Sequence, residues 1–460
     1  MGILRYGSYV PYFRVKREAM GAGKGERAVA GYDEDSASMA VEAARDAIRG
    51  VAGIDTLLFA TTSPPYAEKL NAATIQGALG LPESIRSVDV TGSARVGLTS
   101  LLLAADLAAA GKRTLVCTAD VTIGAPGGPR ESQSGDGATA FVFGPDEEAA
   151  ARVLGHASST SAVLDVWRSP EQRFAKQWEE RFGAEALSPV AVDTTIRALR
   201  SARVEPGQLT SVILDSGNPR IGAAIAKTLK SQPQQLSDVL ADRVGRAGAA
   251  HSGLVLARVL DQAKPGDRVL VVSVADGCDA VVLEVTPAIA ERRATRSVDR
   301  WIESKGNGLA YNNWLKWRGI LPFEPPRRPD PERPAAPPMR RHEHWKLAFF
   351  GSRCAKCGTG QLPPQRVCVS CGAVDQMKEE SFADRSCRIA TYTIDHLAYS
   401  LQPPVVLGVV DYEGGGRFTT ELTDVAPADV AIGNELEMTF RRLYSADGVH
   451  NYFWKARPRR

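Results

Sequence analysis

The sequence predicts an α/β protein in which one layered domain is built twice, followed by a small metal-binding segment and a small β-barrel. Three observations support this prediction. An apolar helix followed by a β-rich strand occurs twice in similar form, beginning at Gly97 and at Gly253. Four cysteines form two C-x2-C pairs after a Pro-rich stretch, and the last part of the chain alternates polar and apolar residues as strands do.

Bulk composition indicates a globular protein. The 460 residues are enough for several domains. A net charge of +3 gives no case for nucleic acid as the main partner, and the basic ending ARPRR is interpreted as a solvated tail. No apolar run of about 18 residues predicts a membrane span, and the first residues lack the apolar centre of a signal peptide. The expected location is therefore the cytoplasm.

The first part of the chain contains an internal repeat. GLTSLLLAADLAAAGKRTLVCTADV and GLVLARVLDQAKPGDRVLVVSVADG share a helix, a G-x-R turn and a strand that ends near Ala-Asp. A weaker pair precedes them, in which SASMAVEAARDAIRG leads to TLLFATTS and VAVDTTIRALRSA leads to SVILDSGNP. Nearly continuous apolar strands that alternate with helices predict a mainly parallel sheet with crossover helices. Two copies of one unit predict a duplication, with halves at 1–150 and 151–290.

A boundary segment is predicted at 291–345. RWIESKGNGLAYNNWLKWRG is typical of a helical hairpin. ILPFEPPRRPDPERPAAPPMRR is Pro-rich, and it predicts an extended connector because proline is unfavourable in both helices and strand ladders.

The strongest chemical motif is C-x2-C-x10-C-x2-C, made by Cys354, Cys357, Cys368 and Cys371. Two such pairs can present four thiolates to zinc in tetrahedral geometry. A glycine follows each pair and allows the backbone to fold back under the metal. Because four thiolates leave no open coordination position, the sequence predicts a structural zinc in a ribbon at 346–375.

The remaining residues, 376–460, read as short strands joined by Gly-rich turns, which favours a small β-barrel similar to an OB-fold. Such folds often bind nucleic acid. This stretch is nearly neutral, and its tyrosines lack the basic groove that single-stranded nucleic acid requires. We therefore interpret the tyrosines as packing residues.

Several stretches resemble the thiolase superfamily, namely YDEDSASMAVEAARDAI, DVWRSPEQRF, VILDSGNPRIG and DGCDAVVLEV. Within it, residues 1–290 are similar to archaeal-type hydroxymethylglutaryl-CoA synthases and, more distantly, to type III ketoacyl synthases. Residues 346–460 resemble the zinc-ribbon and OB-fold domains that accompany thiolase-like proteins, through RCAKCGTGQLPPQRVCVSCG, TYTIDH and AIGNELEMTF. The resemblance implies a duplicated fold of the five-layer thiolase type, and a coenzyme A thioester as ligand or substrate.

In that family a glutamate, a cysteine at the start of a buried helix and a histidine carry the chemistry, joined in ketoacyl synthases by an asparagine. The resemblance places these positions, in that order, at Thr62, Ala94, Asp215 and Arg246. All four are changed. Alanine cannot supply the thiolate that attacks a thioester, so the resemblance implies that the acyl-enzyme step is lost.

Two residues could replace the missing nucleophile. Ser93 lies beside Ala94, but no matched histidine remains to deprotonate it. Cys278 follows a predicted strand end, and packing is its simpler interpretation.

Chemistry that needs no acyl-enzyme has other candidate catalytic residues. Asp215 and His251 are candidate bases, and Arg246 is a candidate partner for an enolate or a phosphate. The structural alternatives are an ion pair between Asp215 and Arg246, and a satisfied core histidine at 251. We expect the ion pair, because a neighbouring cation keeps a buried carboxyl ionised.

The residues leave three functions open. Loss of four catalytic positions at once favours a scaffold or accessory subunit for a partner thiolase-like enzyme. The alternatives are an aldol-type (retro-aldol) lyase acting on a β-hydroxyacyl-CoA and a Claisen-type acyltransferase with a relocated nucleophile. The expected partners are an acyl-CoA and either a second copy or a thiolase-like paralogue, with pairing predicted through the strand Thr114–Ala119 and its flanking helices.

Overall fold

The computed structural model describes residues 1–306, 308–324, 332–334, 340 and 342–460. Much of the predicted Pro-rich connector, 320–341, lies outside the described residues. The described α-helices are α1 (Ser36–Ala47), α2 (Ala72–Ala78), α3 (Val96–Ala109), α4 (Pro129–Gln133), α5 (Glu180–Ala202), α6 (Pro219–Leu229), α7 (His251–Gln262), α8 (Ile289–Arg292), α9 (Val298–Glu303), α10 (Tyr311–Trp317) and α11 (Glu343–Ala348).

The strands fall into a long series before the boundary segment and a shorter series after it. The first series is β1 (Gly2–Tyr9), β2 (Phe13–Lys16), β3 (Glu26–Val29), β4 (Thr56–Ala60), β5 (Arg86–Val90), β6 (Thr114–Asp120), β7 (Gly137–Gly144), β8 (Ala151–Thr160), β9 (Val166–Trp167), β10 (Lys176–Gln177), β11 (Ser211–Ser216), β12 (Arg268–Val274) and β13 (Gly277–Val285). The second is β14 (Phe350–Cys354), β15 (Gly360–Gln361), β16 (Met377–Ser381), β17 (Cys387–Asp395), β18 (Val405–Tyr412), β19 (Arg417–Leu422), β20 (Glu435–Ala446) and β21 (Val449–Pro458).

A nine-stranded sheet of order β11-β12-β13-β8-β1-β7-β6-β4-β5 forms the centre of the first part. The two halves have the same strand order, β4-β6-β7-β1 in the first and β11-β12-β13-β8 in the second, with the same parallel and antiparallel pairings. The counterpart of β5 is reduced to an isolated bridge between Val212 and Leu236. This shared order confirms the predicted duplication.

Five layers result from the duplication. α3 and α7 contact each other between the two half-sheets, while α1 and α2 cover the first half and α5 and α6 cover the second. The glycines that begin the two repeated stretches are required by close packing. A Cβ at Gly97 would lie 1.8 Å from the Ala249 carbonyl oxygen, and one at Gly253 would lie 2.5 Å from Thr139 Oγ1.

The predicted pairing surface at Thr114–Ala119 is wrong. These residues lie in β6, which is hydrogen-bonded to β4 on one side and to β7 on the other, so the strand has no free edge. The outer strand of this half is β5, whose Val88 is exposed. Length and apolarity made β6 conspicuous in the sequence, but these properties mark a central strand rather than an edge.

The C-terminal part consists of a three-stranded sheet, β15-β14-β16, and a closed barrel of order β17-β18-β19-β21-β20. The barrel confirms the predicted OB-like architecture. Across the described ranges, no helix has the length and apolarity needed to cross a bilayer.

The barrel packs on α1 through buried ion pairs. Arg457 Nη2 lies 2.6 Å from Glu42 Oε2, and Lys455 Nζ lies 3.0 Å from Asp33 Oδ2. The interpretation of the basic ending as a solvated tail is therefore wrong, since Arg457 is 0% and Arg460 4% exposed. The acidic residues at the start of α1 are buried under the barrel, and buried carboxylates require cationic partners.

Candidate functional site

A cavity of about 400 Å³ lies where the carboxyl ends of β4, β6, β11 and β12 meet. Ligands of layered α/β proteins bind preferentially at such strand ends. Both repeats contribute to the wall, together with α4 and the β9–β10 hairpin. The polar lining residues are Thr62, Ser93, Thr122, Arg130, Gln133, Ser134, Asp165, Arg168, Gln177, Arg246 and Asp276.

The turn before α3 forms part of this wall through Gly92, Ser93 and Ala94. Gly92 has φ 141°, a conformation that favours glycine. The next residue, Arg95, fixes the turn to the second repeat, because its Nε donates to the Ala275 carbonyl oxygen at 2.9 Å. Of the described residues that line the cavity, none is a cysteine, histidine, glutamate, lysine or tyrosine. The described wall around this turn therefore presents no thiol.

Asp120, which the sequence reasoning missed, organises the floor beneath the turn. It is fully buried at the end of β6. Its Oδ1 accepts hydrogen bonds from the Thr61 hydroxyl, the Thr62 amide and the Ser63 hydroxyl at 2.7–2.9 Å. Its Oδ2 accepts from the Thr62 hydroxyl at 2.9 Å and from the Ala249 amide at 2.7 Å. One carboxylate therefore ties the loop after β4 to the segment before α7. The Ala-Asp ending shared by the repeats was its only sequence signal.

Asp215 and Arg246 form the expected ion pair. Arg246 Nη2 lies 2.6 Å from Asp215 Oδ1, and the Ser273 hydroxyl donates to Asp215 Oδ2 at 3.4 Å. Arg246 lines the cavity, whereas Asp215 is 3% exposed and does not. The backbone of Arg246 is also fixed, since its amide donates to the Gln133 carbonyl at 2.9 Å.

His251 is the first residue of α7 and is buried. Its Nδ1 accepts a hydrogen bond from the Ala247 amide at 3.3 Å, and it does not line the cavity. Burial lowers the pKa of His251 to about 4, with Asp215 opposing this shift and Arg246 adding to it. The side chain is therefore a neutral acceptor at neutral pH.

The isolated cysteines lie away from the cavity wall. Cys117 in β6, Cys278 in β13 and Cys387 in β17 are all buried. Burial raises the pKa of the Cys278 thiol to about 12, and it also raises that of Cys117. Such thiols behave as packing groups.

The cavity also presents two carboxylates that sequence reasoning did not single out. Asp165 and Asp276 both line it, and among the described residues neither side chain accepts a hydrogen bond. One oxygen of Asp165 is buried. Burial and the neighbouring Asp276 raise the pKa of Asp165, while Arg246 opposes the shift. DVWRSPEQRF contained the only signal, because it belongs to the stretches that carry the family resemblance.

Arg130 and Arg168 were likewise missed. Arg130 lies on α4 and Arg168 directly follows β9, and both line the cavity. In the described part of the chain, neither guanidinium lies within ion-pair distance of a carboxylate, and the buried Nε of Arg130 has no hydrogen-bond partner. Burial lowers the pKa of Arg130; Asp120 opposes this, and Arg246 and Arg168 add to it.

The barrel reaches the loop that carries Thr62. The His450 amide, at the start of β21, donates to the Tyr66 hydroxyl at 2.7 Å, and the two rings lie 4.6 Å apart. His450 Nε2 lies 3.2 Å from the Pro65 carbonyl oxygen. The β20–β21 hairpin therefore supports one rim of the cavity.

The four clustered cysteines fit a zinc site. Their sulfurs all lie within 4.8 Å of one another, with Cys354–Cys371 at 3.7 Å and Cys357–Cys368 at 3.5 Å. Four sulfurs at the usual Zn–S distance of about 2.3 Å are about 3.8 Å apart in a tetrahedron. The glycines after the two pairs, at 358 and 372, have φ 75° and 69°, as the sequence predicts for a backbone that folds back.

Three family models match the chain. Residues 199–285 match the 3-oxoacyl-[acyl-carrier-protein (ACP)] synthase III C terminal. Residues 347–375 match the ChsH2 rubredoxin-like zinc ribbon domain, and residues 383–441 match the ChsH2 C-terminal OB-fold domain.

Relatives and solved structures resemble the first part of the chain. Hydroxymethylglutaryl-CoA synthase of Methanopyrus kandleri is 30% identical over 346 residues, covering 70% of this chain and 98% of the relative. The Aeropyrum pernix protein of the same name is 30% identical over 342 residues, covering 70% and 94%. The structure of MvaS in complex with 3-hydroxy-3-methylglutaryl coenzyme A superposes with a TM-score of 0.57 at 20% identity, covering 72% of this chain and 94% of that one. HMG-CoA synthase complexed with CoA gives 0.59 at 16% identity, covering 68% and 89%.

Proposed function

Because the chain belongs to the hydroxymethylglutaryl-CoA synthase family, we propose that it binds an acyl-CoA without becoming acylated. In this proposal it is a scaffold or accessory subunit, and a partner thiolase-like enzyme carries out the C–C bond chemistry. The proposal depends mainly on which residues line the cavity. Its wall keeps the turn before α3 but presents Ser93 and Ala94 there, with no thiol or imidazole among the described lining residues.

The chemistry of thioester attack explains why this composition matters. A nucleophile must be ionised or paired with a base to attack a thioester. Ser93 lines the cavity without a neighbouring histidine or lysine among the described lining residues. The buried Cys278 has its thiol pKa raised to about 12, so it offers little thiolate at neutral pH. These features support binding rather than acylation.

The substituted positions 215 and 246 support a structural role as well. Asp215 is buried and paired with Arg246, and an ionised, fully paired aspartate is a poor base. His251 is neutral and uses Nδ1 to accept a backbone amide. In this reading Arg246 alone of the three contacts a ligand, since it lines the cavity.

The barrel fits an accessory role because it is docked by buried ion pairs and reaches the cavity rim through His450. We propose a structural zinc in the ribbon, with the four cysteines as its ligands. We also propose self-association or binding of a thiolase-like paralogue, now through the edge of β5 rather than β6. The unpaired backbone of an edge strand and the exposed Val88 support this surface.

Intact-mass spectrometry after incubation with acetyl-CoA tests the proposal. We expect no covalent acetyl adduct, under conditions that acylate the Methanopyrus kandleri relative as a control. Binding of CoA is measured in parallel by calorimetry. An acetyl adduct that disappears in Ser93→Ala or Cys278→Ala would contradict the proposal and favour a Claisen-type acyltransferase with a relocated nucleophile.

A retro-aldol lyase is the second candidate, and Asp165 is the observation that favours it. Asp165 is a half-buried carboxylate with a raised pKa that accepts no hydrogen bond from the described residues, and such a group is suited to general base catalysis. Asp165 would accept the β-hydroxyl proton while the Cα–Cβ bond breaks, giving a carbonyl product and the enolate of a shorter thioester. Proton return to the enolate carbon completes the balance, and Arg246 would stabilise the enolate oxygen.

Turnover of a panel of β-hydroxyacyl-CoAs tests this second candidate, with the chain alone and with any co-purified partner. Cleavage by the chain alone that is lost in Asp165→Asn, with the thermal midpoint unchanged, would establish the lyase. Absence of turnover by the chain alone is the expectation of the scaffold proposal.

A further inference from the structure

Three arginines line the cavity, and within the described part of the chain two of them, Arg130 and Arg168, have no carboxylate at ion-pair distance. Arg130, Arg168 and Arg246 all line the wall, and they are near enough that each of the other two acts on the charge of Arg130. Arg246 is paired with Asp215. Guanidinium groups that converge in this way repel one another unless an anion lies between them.

The acid that acts on Arg130, Asp120, is already engaged. Asp120 acts on its charge, but both Asp120 oxygens accept hydrogen bonds from the Thr61–Ser63 loop and from Ala249. Arg27 lies behind the site with its guanidinium bound to carbonyl oxygens and 3.4 Å from Asp136. Arg27 also acts on the charge of Arg130, and Asp136 is the ion-pair partner of Arg27 itself.

The arginines are held by different elements of a fixed framework. Arg130 lies on α4, whose last residue, Gln133, accepts a hydrogen bond from the Arg246 amide. Arg168 follows β9, which pairs with β10 through Trp167 and Lys176. Their side chains are thus presented from two sides of one cavity. The buried Nε of Arg130 is unsatisfied within the described chain, which costs stability unless a ligand accepts its hydrogen bond.

The charges that act on Asp165 and those that act on Arg130 overlap only in part. Asp276 and Arg246 are the charges that act on Asp165, whereas Arg168, Arg246 and Asp120 act on Arg130. Arg246 is common to both sets. We refer to the part of the wall formed by Arg130 and Arg168, the two lining arginines without an ion-pair partner among the described residues, as the cationic end of the cavity.

We propose that the cationic end binds the anionic group, carboxylate or phosphate, of an acyl thioester, with Arg130 and Arg168 as its ligands and Arg246 as a third cation. Guanidinium groups recognise both anions through paired N–H donors. A carboxylate would come from the acyl chain, and a phosphate from the coenzyme A carrier. The identity of the ligand rests on the proposed acyl-thioester function, while the anion subsite rests on the arginines themselves.

Calorimetric titration with four probes tests the inference. S-glutaryl-pantetheine carries a carboxylate but no phosphate, CoA carries phosphates but no acyl carboxylate, S-butyryl-pantetheine carries neither, and glutarate is a free dianion. Arg130→Gln and Arg168→Gln are compared with Arg200→Gln, an exposed arginine on α5. We expect each cavity variant to raise the Kd of an anionic probe about 10- to 100-fold, and S-butyryl-pantetheine and the Arg200 control to change less than about 2-fold.

The four probes distinguish an acyl carboxylate from a coenzyme A phosphate as the bound anion. They also distinguish the anion subsite from the proposed acyl-thioester function. If the two cavity variants weaken the binding of S-glutaryl-pantetheine alone, the bound anion is the acyl carboxylate. If they weaken the binding of CoA alone, the bound anion is a phosphate of the carrier. Equal Kd values for every probe in wild type and in both cavity variants would overturn the anion subsite, even if the thioesters bind. Arginine-dependent binding of glutarate without binding of any pantetheine derivative would keep the subsite and refute the acyl-thioester function. Arg168 is exposed, so its variant tests the inference even if Arg130→Gln fails to fold.

Discussion

Asp120→Asn is expected to lower the free energy of unfolding by about 3 kcal/mol, although it removes no heavy atom. The buried carboxylate accepts five hydrogen bonds, and each oxygen takes one of them from a backbone amide: Oδ1 from Thr62 and Oδ2 from Ala249. Whichever way the asparagine amide turns, its NH₂ group meets one of these N–H donors.

The magnitude follows from the groups left unpaired. A buried N–H without an acceptor costs about 1–3 kcal/mol, and each hydrogen bond to a charged acceptor contributes about 1.5–3 kcal/mol. The neighbouring hydroxyls can rotate and accept from the new amide, which limits the total. A range of about 2–5 kcal/mol therefore brackets the loss.

Urea denaturation followed by circular dichroism measures the change, with Asp193→Asn as the control. Asp193 lies on the exposed face of α5, paired with Arg197, and surface pairs contribute below about 1 kcal/mol. Gly248→Ala perturbs the same carboxylate, because its Cβ would lie 2.1 Å from Asp120 Oδ2. We expect the two changes to be non-additive. A loss below about 1 kcal/mol in Asp120→Asn would refute the reasoning that this carboxylate organises the cavity floor.

Three further outcomes are expected. Asp215→Asn should cost about 2–4 kcal/mol in urea denaturation, because it leaves Arg246 without its partner; a neutral effect would contradict a structural ion pair. His251 has a pKa of about 4 in the folded protein, below its unfolded value of about 6.5, so its contribution to stability is intact above pH 6.5 and is lost as the pH falls towards 4. His251→Asn retains an acceptor for the Ala247 amide and should flatten that part of the curve of stability against pH. An unchanged curve would count against a buried neutral imidazole. Native protein should contain about one zinc per chain by elemental analysis, and Cys368→Ser should lose it and expose residues 347–375 to protease; zinc-free folded protein with four titratable thiols would exclude the site.

Local patterns predicted much of the fold because they encode it directly. The Gly-Leu starts at Gly97 and Gly253 recur because each helix packs against backbone or a small side chain that leaves no room for a Cβ. The cysteine spacing specifies a metal site through the geometry of four sulfurs. The ion pair of Asp215 and Arg246 was predictable from charge and burial once both positions were assigned to one region.

Other features depend on contacts that sequence spacing does not encode. Asp165 and Arg168 lie on a short hairpin whose direction over the cavity follows from tertiary packing, so neither periodicity nor a motif identifies them as lining residues. In the sequence Arg457 resembles a residue of a solvated tail, and only the packing of the barrel on α1 reveals its ion pair with Glu42. The strand order is likewise needed to recognise β5 as the edge of the sheet, because the sequence of β6 is more typical of a strand than that of β5.

The residues at 215 and 246 act as one unit, because each is the ion-pair partner of the other. Arg246 bridges α4 and the start of α7 through its backbone, and its guanidinium lines the cavity. A cation introduced there alone would add to the positive charge of Arg130 and Arg168. Asp215, buried at the adjacent strand end, supplies the compensating charge at 2.6 Å and fixes the orientation of the guanidinium. In the proposed anion subsite, Asp215 therefore balances the charge of Arg246, while the guanidinium stays in the cavity wall where it meets the ligand.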